Sequence, residues 1–294
     1  MWARVAMRAR AADAGSPARG DRAGVARASA HRGAGMLPGL LSVTFRSRSP
    51  QEIVAWARQA RLAAIEWGGD IHVPPGDAAR ARGVRRLTEE AGLTVSALGS
   101  YYRAGPAAKE GSPFAAVLDT AQELGAPCIR VWAGTVGSAE TDTRQRAEIV
   151  ADLRVIAQQA AVAGVRVATE WHAGTLTDTT VSTLALLREV DHPNLGTFWQ
   201  PRIGDTVEQG VADLRAIASW LGAVHVFHWR TVQDRRPLAE GVGPWRAYLA
   251  EVRACAPAVR FASLEFLPQE TLDDLLRDAA TLARWTAAVG ETAP

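Results

Sequence analysis

Four polar side chains follow four apolar segments of the sequence. Glu170, Gln200, His225 and Glu265 each come after several apolar residues, which carry them to the end of a predicted strand. A buried carboxylate is costly without a partner, so we expect a cation among these groups. Two carboxylates, one amide oxygen and one imidazole form a mostly oxygen donor set. This set predicts one divalent metal, Mn²⁺ or Mg²⁺ first, with Co²⁺ or Zn²⁺ as further candidates.

Ion pairing is the alternative explanation of these carboxylates. Arginines such as Arg130, Arg166 and Arg260 lie in or beside the same apolar segments and would neutralise a buried glutamate. One Glu–Arg pair would explain one residue, whereas polar groups ending four strands favour a site.

The elements that position these groups repeat along the chain. From residue 36 onward, short apolar runs alternate with longer helical patterns, and seven of the eight expected helix starts carry Ser, Thr or Asp, the preferred N-caps. Eight β–α units in about 250 residues predict a single (β/α)₈ TIM barrel. An open doubly wound sheet is disfavoured because no GxGxxG occurs. The predicted strands are 40–45, 64–68, 94–99, 128–133, 165–171, 195–200, 223–228 and 260–266, and helices are expected to begin near 49, 77, 112, 143, 179, 206, 243 and 271.

The first 35 residues differ in composition from the rest. They hold seven Arg against Asp13 and Asp21, a net charge of +5, and show no hydrophobic periodicity. We therefore interpret 1–35 as a disordered or mis-annotated N-terminal extension, with Met36 opening the barrel domain of 36–294. A transit peptide is the alternative, since such peptides are rich in Arg and poor in acidic residues.

Composition excludes several classes of protein. Residues 36–294 carry 26 basic against 29 acidic groups, so a nucleic-acid partner is not expected. A run of ~18 apolar residues is missing, so no membrane partner is expected either. Cys128 and Cys255 form no CxxC motif and fit a reduced, cytoplasmic protein. The single lysine, Lys109, excludes a Schiff-base lysine inside a strand and a GK[ST] phosphate loop.

These residues also carry a family resemblance. From residue 36 to the end, the chain resembles the xylose isomerase-like TIM barrel family of sugar phosphate isomerases and epimerases, ketose 3-epimerases and inosose dehydratases. The motifs are Glu170, the segment 225–228, the segment 237–241 leading to Trp245, and Glu265. The resemblance implies one metal bound by Glu, Asp, His and Glu. Glu170, His225 and Glu265 match, Gln200 stands at the position of the Asp, and His228 stands where a second Asp is common.

The resemblance implies that Glu170 and Glu265 also act as catalytic acid and base. The expected activity is a metal-dependent isomerase or epimerase of a small sugar, keto-sugar or sugar acid, in which a proton is removed next to a carbonyl. Alternatives are a dehydratase acting on a keto-inositol or keto-sugar acid, and a non-catalytic sugar-binding barrel. The expected partner is a small carbohydrate, and a homo-oligomer is compatible with this class.

Five further residues are expected to contact substrate. His172 lies two residues from Glu170, hence on the same face of the strand. His72 follows the second strand, Trp132 ends the fourth, and His228 and Arg230 follow the seventh. The alternative interpretation of Trp132 is that it packs in the core. The alternative interpretation of His228 is that it is solvated or packed.

Overall fold

Eight parallel strands close into a barrel in the computed structural model, which describes residues 35–287. The (β/α)₈ prediction is confirmed. The expected extension of 1–35 lies outside the described residues, except for Gly35. Around the barrel the strands run in the order β1-β10-β7-β6-β5-β4-β3-β2, and β2 pairs with β1 to close it. The barrel strands are β1 (Leu37–Leu41), β2 (Ala64–Gly68), β3 (Thr94–Arg103), β4 (Cys128–Trp132), β5 (Arg166–Glu170), β6 (Leu195–Trp199), β7 (Leu221–Val226) and β10 (Phe261–Leu264).

Eight helices surround the strands, and a small hairpin of β8 (His228–Trp229) and β9 (Arg235–Arg236) follows β7. Helices α1 and α6 begin at capping boxes, in which Ser49 and Thr206 accept a hydrogen bond from the backbone three residues later. Among helices of the described residues, none is long and apolar enough to cross a membrane. The helices are α1 (Pro50–Gln59), α2 (Ala78–Glu90), α3 (Phe114–Leu124), α4 (Thr143–Val162), α5 (Thr180–Val190), α6 (Val207–Ile217), α7 (Val242–Cys255) and α8 (Leu272–Ala287).

Two predicted strands are shifted in the structure. The first was expected over 40–45 but spans Leu37–Leu41, because its residues pair with β10 from Leu37 onward, and Ser42–Phe45 forms a 3₁₀ helix. The seventh was expected over 223–228 but spans Leu221–Val226. Gly222, which resembles a helix C-cap in the sequence, therefore lies inside β7.

The interior of the barrel changes from apolar to charged along the barrel axis. Ala97, Ala168, Phe198 and Ala223 form an apolar cluster separate from the main core. Two residues further along β5 and β7, the alternation of a strand brings Glu170 and His225 to the same interior face. Bulky aliphatic residues usually fill this region of a TIM barrel, so buried charged groups here must have partners.

Candidate active site

Glu170, His225 and Glu265 converge inside the barrel. Glu170 is the last residue of β5, His225 lies near the end of β7, and Glu265 directly follows β10. His225 Nδ1 lies 3.6 Å from Glu265 Oε2 and 3.9 Å from Glu170 Oε1. One ligand-type atom from each residue lies within 4.8 Å of those of the other two, and all three side chains are buried. The structure thus brings together three of the four residues expected to bind a metal.

Gln200 lines the same cleft as Glu170 and Glu265. Its Nε2 donates a hydrogen bond of 2.8 Å to the backbone oxygen of Trp171. Its Oε1 is buried and has no hydrogen-bond partner within residues 35–287, and the same holds for His225 Nδ1 and Glu265 Oε2. Leaving a buried polar atom unpaired costs about 1–3 kcal/mol. The three atoms belong to three of the four residues predicted to bind a metal, and each is free to make a further contact.

Arg130 is the buried cation of the site. It lies in the middle of β4 with its side chain 4% exposed, its Nε donates a hydrogen bond of 2.6 Å to Glu66 Oε1, and its Nη1 donates to Glu170 Oε2. Burial opposes its charge, but the surrounding carboxylates outweigh that effect and raise the pKa of Arg130. The alternative explanation by ion pairing therefore applies to Arg130, which pairs with Glu66 and Glu170. Arg166 and Arg260 instead line a cavity at the opposite end of the barrel.

Glu66 completes the buried charges. It lies in β2, and its Oε2 is 3.2 Å from Nε2 of His225. Burial alone would raise the pKa of Glu66, but Arg130 and His225 outweigh that effect and hold the pKa at about 2. Glu66 is therefore ionised at neutral pH.

The pKa of Glu265 is shifted in the opposite direction to that of Glu66. Burial raises its pKa to about 8, and the neighbouring Glu170 adds to the rise while His225 opposes it. Burial lowers the pKa of His225, but the charge of Glu66 reverses this and the pKa is raised overall. Glu265 is thus inclined to hold a proton near neutral pH. Proton-holding groups in a cleft are the usual mark of acid–base chemistry.

An aromatic cleft of about 690 Å³ opens above these residues. Tyr101 at its rim accepts a hydrogen bond of 3.2 Å from Arg46, which is also paired with Asp70. Glu170 and Glu265 also line the cleft, so it reaches the buried carboxylates. Its aromatic walls comprise Tyr101, Trp132, Trp171, Phe227, Trp229 and Phe266.

The five expected substrate contacts divide into two groups. Trp132 and His172 line the cleft, with ring centroids 4.6 Å apart and planes at 24°. His72 does not reach it, because its ring is buried between Ser42 Oγ at 2.9 Å and the backbone oxygen of Arg48 at 3.2 Å. His228 belongs to the hairpin and packs against Gly241, and Arg230 is exposed beside Glu240 at 3.5 Å. His228 and Arg230 lie outside the cleft because side chains alternate along the hairpin strand, and Trp229 between them is the residue that lines the cleft.

The fold and the buried cluster define an enzyme-like TIM barrel with its chemistry at the carboxyl ends of the strands. The model of the family described as "Xylose isomerase-like TIM barrel" matches residues 54–275, and the chain belongs to that family.

Known relatives include a dehydratase and an epimerase. A 3-dehydroshikimate dehydratase of Bacillus anthracis is 32% identical over 173 residues, which cover 52% of this chain and 61% of that protein. The chain thus spans less than two thirds of this curated relative. The crystal structure of a probable 3-DHS dehydratase from Bacillus anthracis has a TM-score of 0.70 and 25% identity, covering 84% of this chain and 99% of that one. A D-psicose 3-epimerase from Clostridium cellulolyticum H10 shares the fold, with a TM-score of 0.66 and 15% identity over 87% of this chain and 100% of that one.

Proposed function

We propose that this chain is a divalent-metal-dependent dehydratase of 3-dehydroshikimate or of a closely related cyclic keto acid. The observation that carries the proposal is the set of unpartnered buried atoms, Gln200 Oε1, His225 Nδ1 and Glu265 Oε2, below an aromatic cleft. The similarity to a curated 3-dehydroshikimate dehydratase supports dehydration over isomerisation. The sequence alone favoured isomerisation, with dehydration as the alternative.

The donor set fits a divalent cation. Glu170, Gln200, His225 and Glu265 would hold it, since they offer carboxylate, amide and imidazole donors and three of them leave a buried atom free. Charge agrees with this assignment: the carboxylates of Glu66, Glu170 and Glu265 exceed Arg130 by two negative charges. When bound, such a cation supplies Lewis-acid polarisation of the substrate carbonyl and stabilises negative charge on its oxygen.

The chain's own groups then move the protons. The carboxylate of Glu265 accepts the proton from the carbon next to the ketone, and the C–H electron pair forms a double bond. The hydroxyl on the adjacent carbon leaves with its C–O electron pair and departs as water after taking a proton from His172, which lines the cleft. One water is lost and no oxidant is needed. In 3-dehydroshikimate, enolisation of the resulting ring ketone yields an aromatic dihydroxybenzoate.

The cleft supports a cyclic acid as substrate. Trp132 and Trp229 provide flat walls for a six-membered ring. Arg46 also lines the cleft, and beyond its contacts with Asp70 and Tyr101 its Nε–H remains to bind a carboxylate.

Epimerisation or isomerisation of a keto-sugar is the second candidate. The observation that favours it is the presence of two carboxylates, since Glu170 Oε1 and Glu265 Oε2 both lie within 4 Å of His225 Nδ1. After one carboxylate removes a proton, the other would return it to the opposite face or to the neighbouring carbon.

One experiment separates these candidates. The full chain is incubated in D₂O with Mn²⁺ and either 3-dehydroshikimate or a panel of ketoses. A dehydratase produces the absorbance of an aromatic acid from the first substrate. Deuterium in recovered ketose without loss of water would instead establish an epimerase or isomerase. No turnover together with no Mn²⁺ binding in a calorimeter would leave the non-catalytic barrel and reject the proposal.

A further inference from the structure

Glu66 is a buried carboxylate that the proposed reaction does not use. Its Oε1 accepts the 2.6 Å hydrogen bond from Arg130 Nε, and its Oε2 lies 3.2 Å from Nε2 of His225. The side chain of Glu66 is only 3% exposed, so bulk water does not replace either of these two partners. Both of its oxygens therefore serve these two neighbours.

The contact with Glu66 determines which nitrogen of His225 carries hydrogen. An ionised carboxylate only accepts hydrogen bonds, so the nitrogen that faces it, Nε2, must be the N–H. In a neutral imidazole the other nitrogen, Nδ1, then holds the lone pair. Nδ1 is also the nitrogen 3.6 Å from Glu265 Oε2, and it has no hydrogen-bond partner in the described part of the chain.

We propose that Glu66 is the positioning residue of this site: it fixes His225 in the tautomer whose Nδ1 is free to bind a divalent cation. The inference rests on the metal site of the proposed function. Arg130 fixes Glu66 in turn, because its Nε and Nη1 join Glu66 to Glu170. The geometry of one proposed ligand is thus coupled to that of another through two residues that bind no metal.

Gly99 on β3 shows how closely this arrangement is packed. A Cβ atom at Gly99 would lie 2.6 Å from Arg130 Nη2 and 2.9 Å from Glu66 Oε1. Gly99 is not among the positive-φ glycines, so its backbone conformation is open to other residues. The close approach of the two side chains is therefore what requires a glycine here.

An amide at position 66 cannot reproduce the effect of the carboxylate. Arg130 only donates, so the oxygen of a glutamine would face Arg130, and its NH₂ group would face Nε2 of His225. An N–H donor in that place favours hydrogen on Nδ1, which removes the lone pair from the metal site. Glu66→Gln keeps the size of the side chain while reversing the tautomer.

The first test is calorimetric titration of Mn²⁺ into the full chain. We expect Glu66→Gln to weaken Mn²⁺ binding by about 10- to 100-fold, the usual effect of losing a group that orients a ligand. Asp278→Asn is the matched control. Asp278 is also a buried carboxylate facing an arginine, with 2.9 Å between its Oδ1 and Arg277 Nε, but it lies on α8 outside the barrel interior. Its variant should bind Mn²⁺ like the wild type.

The second test measures the tautomer in the wild type directly. The ¹⁵N NMR spectrum of the metal-free wild type is recorded at alkaline pH, where the imidazole of His225 is neutral, and the His225 signals are identified by their loss in His225→Gln. The spectrum should show hydrogen on Nε2 alone. Hydrogen on Nδ1 would overturn the inference, as would a folded Glu66→Gln variant with wild-type affinity for Mn²⁺. Absence of Mn²⁺ binding by the wild type would count against the proposed function instead, and the tautomer would still decide the role of Glu66.

Discussion

The indole Nε1 of Trp132, at the end of β4, donates a hydrogen bond of 2.6 Å to Oε2 of Glu170, at the end of β5. Arg130 donates to the same oxygen, so Oε2 receives two hydrogen bonds and Oε1 is the oxygen near His225. The indole of Trp132, which forms a wall of the cleft, therefore also orients Glu170, one of the two glutamates expected to be catalytic.

Trp132→Phe keeps an aromatic wall but removes this donor. A hydrogen bond to a charged group contributes about 1.5–3 kcal/mol, so we expect kcat to fall by about tenfold or more. KM should change less, since the wall remains. Steady-state kinetics on the active substrate measures both. Trp56→Phe, which alters a tryptophan packed against Phe45, is the control and should leave kcat unchanged. An unaltered kcat in Trp132→Phe would mean that the hydrogen bond does not help catalysis.

The two glutamates can be tested individually. Replacing Glu170 or Glu265 with Gln should lower kcat by at least ~10²-fold, because Glu265 is the proposed base and Glu170 would hold the cation that polarises the substrate. Glu148→Gln, which breaks an exposed pair with Arg144 on α4, serves as the control for the same chemical change. Full activity in either site variant would show that the chemistry lies elsewhere.

Metal affinity should depend on pH through Glu265 and His225. Both pKa values are raised, that of Glu265 to about 8, so protons compete with a cation for these donor atoms. Binding must release that proton, so Mn²⁺ affinity should increase as the pH rises and level off above about pH 8. Calorimetry in buffers of different ionisation enthalpy counts the protons released. Equal affinity at about pH 6 and pH 8, with no proton release, would contradict this prediction.

Gln200 determines the charge of the proposed site. Glu66, Glu170 and Glu265 together with Arg130 leave two negative charges, which one divalent cation balances. Gln200→Asp adds a third negative charge, so we expect Mn²⁺ binding to tighten by ~1–3 kcal/mol, as for other charge-assisted contacts.

The extra charge should lower turnover at the same time, because it opposes an anionic substrate and the negative charge that develops on it. Titrating Mn²⁺ into wild type, Gln200→Asp and the shortened Gln200→Asn measures the first effect, and kcat measures the second. Gln200→Asn should bind less tightly than the wild type. Identical affinities in all three proteins would remove Gln200 from the proposed ligands.

The convergence of Glu170, His225 and Glu265 could be predicted from sequence because parallel strands bring their carboxyl ends to one rim. His172 lines the same cleft as Glu170, although β5 ends at Glu170 and strand alternation does not extend to His172. The predicted contacts His72 and Arg230 lie beyond strand ends, where strand geometry no longer constrains direction.

Glu66 was not predicted as part of the site, and Arg130 was named only in the ion-pairing alternative, although the sequence contains a signal for both. Each is the single charged residue inside a five-residue strand that is otherwise uncharged, AIEWG for β2 and CIRVW for β4. Opposite charges buried within two strands of one barrel need each other. Their exact partners could not be read from sequence, because contact across the barrel depends on strand register and on the space left by Gly99.

Arg130 also bears on when the protein would acquire a metal. Since its guanidinium already joins Glu66 and Glu170, the carboxylates are held together before any ion arrives. Assembly of the barrel and loading of the ion are then separate events, unlike in domains that fold only around their metal. A preformed site of this kind accepts the ion that its surroundings supply, so the metal it carries would follow cellular availability rather than the folding pathway.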